Sequence, residues 1–239
     1  FCVNQPATYS LNTVDNDGDT LKYSFYHPKK NQNTGVTFVS PYTVQAPLSG
    51  IEIDSTSGLI TFTPSQVGKF DLAVLIEEYN NGLVGSMVYD FQMLIVNNAS
   101  CASNSAPITS YNTNQNSIIS NIQGEALINN NEISICAGES FCFDVSFTDS
   151  IGDSILINSN IADYFPGATL TQNSFISPAS ATLCFTATQS SNKISNITIS
   201  ASDNGCPTKA TTFEIVTINT ILSTYLGEDF AICLGDSVQ

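Results

Sequence analysis

The residues best placed to do chemistry are the acids of Asp15-Asn16-Asp17-Gly18-Asp19. Alternate carboxylates around a glycine turn can converge on a hard cation, and Ca2+ takes roughly six to eight oxygen ligands. Glu77 and Glu78, ahead of the next Asn-Gly turn, are further acids of the same half. The expected Ca2+ set is therefore Asp15, Asp17, Asp19 and Glu78. A second set follows the same pattern at Asp149, Asp153 and Asp203, with Ile151 where the middle acid would stand. The distal Glu of an EF-hand is missing. The alternative reading is a plain reversal between strands, because Asp and Asn side chains hydrogen-bond the backbone two residues on.

The other reactive side chains are seven cysteines, at 2, 101, 136, 142, 184, 206 and 233. None forms a Cys-X-X-Cys pair, and His27 is the only histidine, so a zinc site is not expected. With His27 as the one candidate base, Ser-His-Asp and Cys-His catalysis are not expected, and a His-rich metal site is excluded. Paired carboxylates could serve a glycosidase, but the chain has no Trp to stack against a sugar, and no enzyme activity is expected. His27-Pro28-Lys29-Lys30 is the one basic cluster and is read as a solvated loop.

Charge narrows the partners. Six basic residues, all lysine, stand against 21 acids, for a formal net charge of −15. Without Arg, and this acidic, the chain has no footprint for phosphate backbones or an anionic bilayer surface. Hydrophobic residues make up 42%, too many for a disordered acidic tail. No run approaches the roughly 20 apolar residues of a membrane span. The chain starts at Phe1 and is read as a piece of a longer, extracellular β protein.

The elements that must position these residues are strands. Thr8–Val14, Leu59–Pro64, Phe70–Ile76, Val88–Val96, Ser140–Phe147, Thr182–Thr188, Ile194–Ala201 and Thr212–Ile218 are rich in β-branched and aromatic residues. Turn clusters separate them at Asp15–Asp19, Ser55–Gly58, Asn80–Gly82 and Asp203–Pro207. Short strands so punctuated predict an all-β sandwich with almost no helix.

An internal repeat sets the organisation. Aligning Cys2 with Cys136 brings Tyr9 onto Phe143, Leu11 onto Val145, Asp15 onto Asp149 and Leu21 onto Ile155. Later, at a slightly shorter offset, Phe62 meets Phe185 and Gly82 meets Gly205. Ile232-Cys-Leu-Gly-Asp-Ser237 resembles the opening Ile135-Cys-Ala-Gly-Glu-Ser140 and marks a third domain start. The expected division is a first sandwich over 1–98 lacking its first strand, a second over 99–219 that includes an Asn/Ser-rich linker, and the start of a third over 220–239.

The repeat also pairs the cysteines. Cys142 and Cys184 correspond to Thr8 and Thr61, so both change together, as bonded partners would. They fall on the second strand and its sheet neighbour. Cys136 and Cys206 come close if the first and last strands pair in parallel. Cys101 is then the only candidate left for Cys2, and Cys233 would pair beyond Gln239. Each bond stabilises by roughly 2–4 kcal/mol and implies an oxidising, extracellular setting.

Three segments in order resemble a cadherin-like repeat: Val14-Asp-Asn-Asp-Gly-Asp-Thr-Leu-Lys-Tyr-Ser24, Ile53-Asp-Ser-Thr-Ser-Gly-Leu-Ile60, and Phe70-Asp-Leu-Ala-Val-Leu-Ile76 with Asn81-Gly82. In the second half the last piece is Ile199-Ser-Ala-Ser-Asp-Asn-Gly205. The inter-domain Asp/Asn linker of true cadherins is missing, and only Asn104-Ser-Ala-Pro107 is similar to it. The resemblance implies tandem Ig-like, cadherin-like β-sandwich domains. The Cys-Xaa-Gly-acid-Ser openings and Asp203-Asn-Gly-Cys-Pro207 resemble the large repetitive surface proteins of gliding Bacteroidota, the SprB-like motility adhesins. That resemblance implies export by type IX secretion and a filament or stalk used in surface attachment and gliding. Its partners would be neighbouring repeats, outer-membrane secretion or motility machinery and surface polysaccharide, with no nucleic acid and no membrane insertion. A carbohydrate-binding or accessory module of a secreted polysaccharide-degrading enzyme is the alternative. The Bacteroidota O-glycosylation signal, Asp-Ser/Thr followed by a small or aliphatic residue, places candidate sugars on Thr20, Ser55, Ser150, Ser154 and Ser237.

Overall fold

Strict alternation builds the central strand of the second half. Ser140–Thr148 reads SFCFDVSFT, and Phe141, Phe143, Val145 and Phe147 are buried while the residues between them face outward. A period of two puts successive side chains on opposite faces of a sheet, so this sequence makes a strand with one buried face. The computed structural model describes residues 1–15, 18–31, 34–97, 104–111, 117–149, 152–188, 193–205 and 209–222.

The first half contributes β1 (Ala7–Tyr9), β2 (Thr20–Tyr26), β3 (Lys29–Asn31), β4 (Thr34–Gly35), β5 (Glu52–Ile53), β6 (Ile60–Phe62), β7 (Gly68–Tyr79) and β8 (Leu83–Ile95). Sheets β1-β6-β5 and β2-β7-β8 enclose a core of Ile60, Phe62, Leu72, Val74, Ile76, Met93 and Ile95. The second half contributes β9 (Ile108–Thr109), β10 (Ser120–Gln123), β11 (Leu127–Asn129), β12 (Glu132–Cys136), β13 (Ser140–Thr148), β14 (Leu156–Ser159), α1 (Ile161–Tyr164), β15 (Thr169–Ser174), β16 (Ala179–Thr186), β17 (Lys193–Ser202) and β18 (Thr211–Ile221). Its sheets run β10-β13-β16-β15, with β9 also on β13, and β11-β12-β18-β17-β14. Between them lies a larger core centred on Phe141, Phe143, Phe147, Phe165, Ile197 and Ile199.

The chain is therefore all-β, two sandwiches of one topology. β12 pairs with β18 in parallel, ending at Cys136↔Ile221, and Cys2↔Val96 is the matching parallel bridge of the first half. Tyr9 pairs with Ile60 and Phe143 with Leu183. Phe62 and Phe185, aligned by sequence, both lie on the strand opposite and are both 4% exposed.

Three expectations need correction. Thr8–Val14 is extended only to Tyr9, because Asn12 turns to φ 52° and, among the described residues, β1 pairs with β6 alone. The Asn/Ser-rich stretch, expected to hold a linker and the first strand of the second domain from near Asn104, supplies that strand as β9 and two more, β10 and β11, together with the fully buried Ile118 and Ile119. Lys29 and Lys30 sit not in a loop but on β3, an exposed ribbon with β4. Of residues 220–239, expected to open a third domain, Thr220 and Ile221 belong to β18 of the second sandwich, and 223–239 lie outside the described residues.

Candidate functional site

The acidic turns come first. In the first sandwich, Asp15 Oδ2 accepts the backbone N–H groups of Gly18 and Asp19, each at 2.6 Å. Asp19 Oδ1 accepts the Asn80 side-chain amide at 2.7 Å. Asp17 lies outside the described residues. Glu78 pairs with Leu21 across β2 and β7, next to the same turn. The cation that the structure places against this turn is the ammonium of Lys193, from the second sandwich, which donates to the Asp15 carbonyl at 3.1 Å. Gly18 has φ +89° and lies so close to the Lys193 stem that a Cβ there would meet it at 3.1 Å.

In the second sandwich, Asp203 is 2% exposed. Its Oδ1 accepts the N–H groups of Gly205 and Ala210, while its Oδ2 is buried with no hydrogen-bond partner among the described residues. Asp149 is also buried, and its N–H donates to Ser177 Oγ. Asp153 is half-buried. Among the described residues no three His, Cys, Asp or Glu side chains gather into a metal-sized group. One oxygen of Asp203 is thus buried without a hydrogen-bond partner among the described residues, whereas one oxygen of Asp15 accepts two N–H groups of its own turn.

Cys142 and Cys184 are disulfide-bonded directly across β13 and β16, with Cα atoms 4.2 Å apart. Cys2 and Cys136 are disulfide-bonded as well; Cys101 and Cys206, their expected partners, lie outside the described residues, as does Cys233. Thr20, Ser55 and Ser154 are exposed, while Ser150 and Ser237 lie outside the described residues. Ser55 follows Asp54, whose Oδ1 collects the N–H and hydroxyl groups of both Thr56 and Ser57. Burial pushes the Asp54 carboxyl up, but these hydrogen bonds outweigh it and hold the group below the ordinary carboxylate range.

Beside the Lys193 contact, the two sandwiches meet in a seam of neutral polar groups and an aromatic pair. Ser10 Oγ and Thr198 Oγ1 are both buried and lie 3.1 Å apart. The Phe213 N–H donates to Thr8 Oγ1 at 2.6 Å, the Tyr164 hydroxyl to the Thr13 carbonyl at 2.7 Å, and the Asn196 amide to the Thr56 carbonyl at 3.0 Å. Tyr9 meets Phe213 edge to face, 6.2 Å between ring centroids. Burial and a hydrogen bond to Tyr89 push the Tyr9 phenol up to about 12. Beside the seam runs a cleft of about 640 Å³ lined by Glu52, Thr61, Thr63, Tyr111 and Glu214 among others. Burial pushes the Glu214 carboxyl up, against the hydroxyls of Thr109 and Tyr111 that donate to it. Sequence reasoning missed Lys193, Thr198 and Tyr164. Lys193 and Thr198 lie on an ordinary strand and Tyr164 ends the short α1, and the contacts described above are made with the opposite sandwich.

A scan against protein-family models finds no match, and neither does a search of curated proteins. Among solved structures, the chain is similar to the titin Ig tandem domains A164-A165, at 9% identity over 92% of this chain and 90% of that one, with a TM-score of 0.31. It is similar to the tandem Ig repeats of Dlar at 10% identity, over 92% of each chain and with a TM-score of 0.30. An endo-fucoidan hydrolase from glycoside hydrolase family 107 matches at 12% identity and a TM-score of 0.30, and the chain spans 27% of that enzyme's length. The fold assignment itself stands on the strand order and register given above.

Proposed function

We propose that this chain is a repeat-domain piece of a large secreted cell-surface adhesin, forming part of a filament or stalk used in surface attachment and gliding motility. One observation carries the reading. Two sandwiches of the same topology are joined through a hydrogen-bonded seam, Ser10 to Thr198 and Thr13 to Tyr164, rather than by a tether alone. A stalk needs such joints, because a joint that orders both neighbours transmits force without coiling. The disulfides fit export to an oxidising compartment, and among the described residues no helix is long and apolar enough to cross a membrane. The resemblance to SprB-like adhesins extends the reading to type IX secretion, with neighbouring repeats and the outer-membrane motility machinery as partners.

Ca2+ at Asp203 and sugar on the exposed Thr20, Ser55 and Ser154 belong to the same proposal. Intact mass of the native protein tests the sugar: a bare polypeptide mass rejects it. Deleting the parent gene and following colony spreading on agar tests the whole reading. Loss of spreading is expected, and unaltered spreading rejects it. The second reading, a carbohydrate-binding accessory module, draws on the cleft lined by Tyr111, Glu52 and Glu214. Saturable binding of a polysaccharide, lost in Tyr111→Ala, would favour it.

A further inference from the structure

The cleft beside the seam has one wall on each sandwich. On the first, Glu52 pairs with Thr61 and Thr61 with Thr8, one row across β5, β6 and β1. Directly paired residues of a sheet point to the same face. The seam takes up one end of the row, where Thr8 accepts the Phe213 N–H. The other members, Thr61 and Glu52, are exposed and line the cleft, as does Thr63 two residues along β6 and its turn.

The opposite wall is built from β9, the residues after it, and β18. Thr109 and Tyr111 both donate hydroxyls to Glu214, and both reach the same oxygen, Oε1. That leaves Oε2 of a half-buried carboxylate for a further donor. Tyr111 also lines the cleft and is 49% exposed. At about 640 Å³ the cleft lies within the roughly 300–1,000 Å³ of small-molecule sites. Its charged residues are Glu52 and Glu214, and among the described residues no Lys or His lines it.

We propose that this cleft binds a sugar chain bearing free amino groups, with an ammonium received by Glu214 and with Glu52 on the opposite wall. Three features of the lining set the ligand's chemistry. The hydroxyls of Thr61 and Thr63 donate and accept alike, and so match the hydroxyls of a sugar ring. The rings and methyls of Tyr111 and Ile108 suit its C–H face. An ammonium brings the further donor to Glu214, in a charge-assisted hydrogen bond about twice as strong as a neutral one. Uronate or sulfate groups would meet two carboxylates and no counter-charge, and are repelled. The proposal rests on the carbohydrate reading and narrows it: amino sugars are preferred to neutral ones, and neutral ones to acidic ones.

Titration calorimetry on the whole chain tests this with three hexamers, each with its own charge. They are glucosamine, N-acetylglucosamine, which keeps the ring and masks the amine, and galacturonic acid. Saturable binding of the glucosamine hexamer is expected, about tenfold tighter than of its acetylated form, with no heat from galacturonate. Glu214→Gln should remove most of that preference, and Glu52→Gln should lower it. Glu125→Gln, at an exposed acid outside the cleft, removes the same charge and should keep affinity within about twofold. Thermal melts establish that each variant is folded. Silence from all three hexamers overturns the proposal and the carbohydrate reading together. No preference for glucosamine over its acetylated form, tighter binding of galacturonate, or a preference that survives both glutamate changes overturns the proposal and leaves that reading standing. A lysine hexapeptide that binds as tightly as the glucosamine hexamer also overturns it, because the cleft would then read charge without sugar.

Discussion

Thr8 faces Thr61 across β1 and β6 at the register position where Cys142 faces Cys184 across β13 and β16. Directly opposed residues on antiparallel strands are the unit of sheet stabilisation. The fold has filled one such position with two hydroxyls in the first sandwich and with a covalent bond in the second. The bond closes a loop of sequence separation 42.

The two pairs should therefore be interchangeable in kind. Cys142→Thr with Cys184→Thr is expected to keep the fold and lower unfolding stability by roughly 2–4 kcal/mol, read as a fall in the denaturant midpoint. Thr8→Cys with Thr61→Cys is expected to oxidise spontaneously, seen as a loss of two hydrogens by intact mass. A persistent pair of free thiols would mean that the registers do not match.

The Ser10–Thr198 contact couples the sandwiches. Ser10 Oγ also accepts the Asn12 N–H at 3.1 Å, so Ser10→Ala leaves a buried hydroxyl and a turn N–H without it. The expected cost is about 1–3 kcal/mol. Because the lost contact spans the seam, the transitions of the two halves should move apart in calorimetry. A change confined to the first half would show that the seam does not couple them.

Glu214 sets a pH dependence. Its folded-state pKa is raised by burial, so between its ordinary value and that raised value the folded chain holds a proton that the unfolded chain has released. Stability from this group is full below the ordinary carboxylate range and falls as pH rises through the raised value. Glu214→Gln should therefore flatten the decline on the way to neutral pH. At low pH, where the unaltered side chain is also neutral, it should match the unaltered chain. An equal offset at every pH would point to lost packing instead.

Calcium should act through Asp203. Addition of Ca2+ on the order of millimolar is expected to raise the melting temperature of the whole chain. The rise should vanish in Asp203→Asn and survive in Asp15→Asn, because the Asp15 carboxylate is already taken by Gly18 and Asp19. No thermal shift and no heat of binding would remove calcium from the proposal.

Much of the fold was legible in the residue order. Period-two alternation in Ser140–Thr148, β-branched runs and Asx-Gly turns predict strands, because each is a local preference of a few neighbouring residues. The repeat adds long-range information, since two copies of one pattern must share one register. That is why Cys142–Cys184 and the parallel pairing that ends at Cys136 could be read before any coordinates. The tertiary structure alone decided which groups meet across the seam. Lys193 reaches Asp15, Tyr164 reaches Thr13 and Thr198 reaches Ser10 over sequence separations of 178, 151 and 188 residues. It also decided the fate of the acidic turns, closing Asp15 on its own backbone and leaving an oxygen of Asp203 orphaned. Such contacts join residues of loops, the short α1 and strand β17, and no local periodicity specifies a partner in the other sandwich. They are settled by how two finished sandwiches pack, so local pattern carries no trace of them.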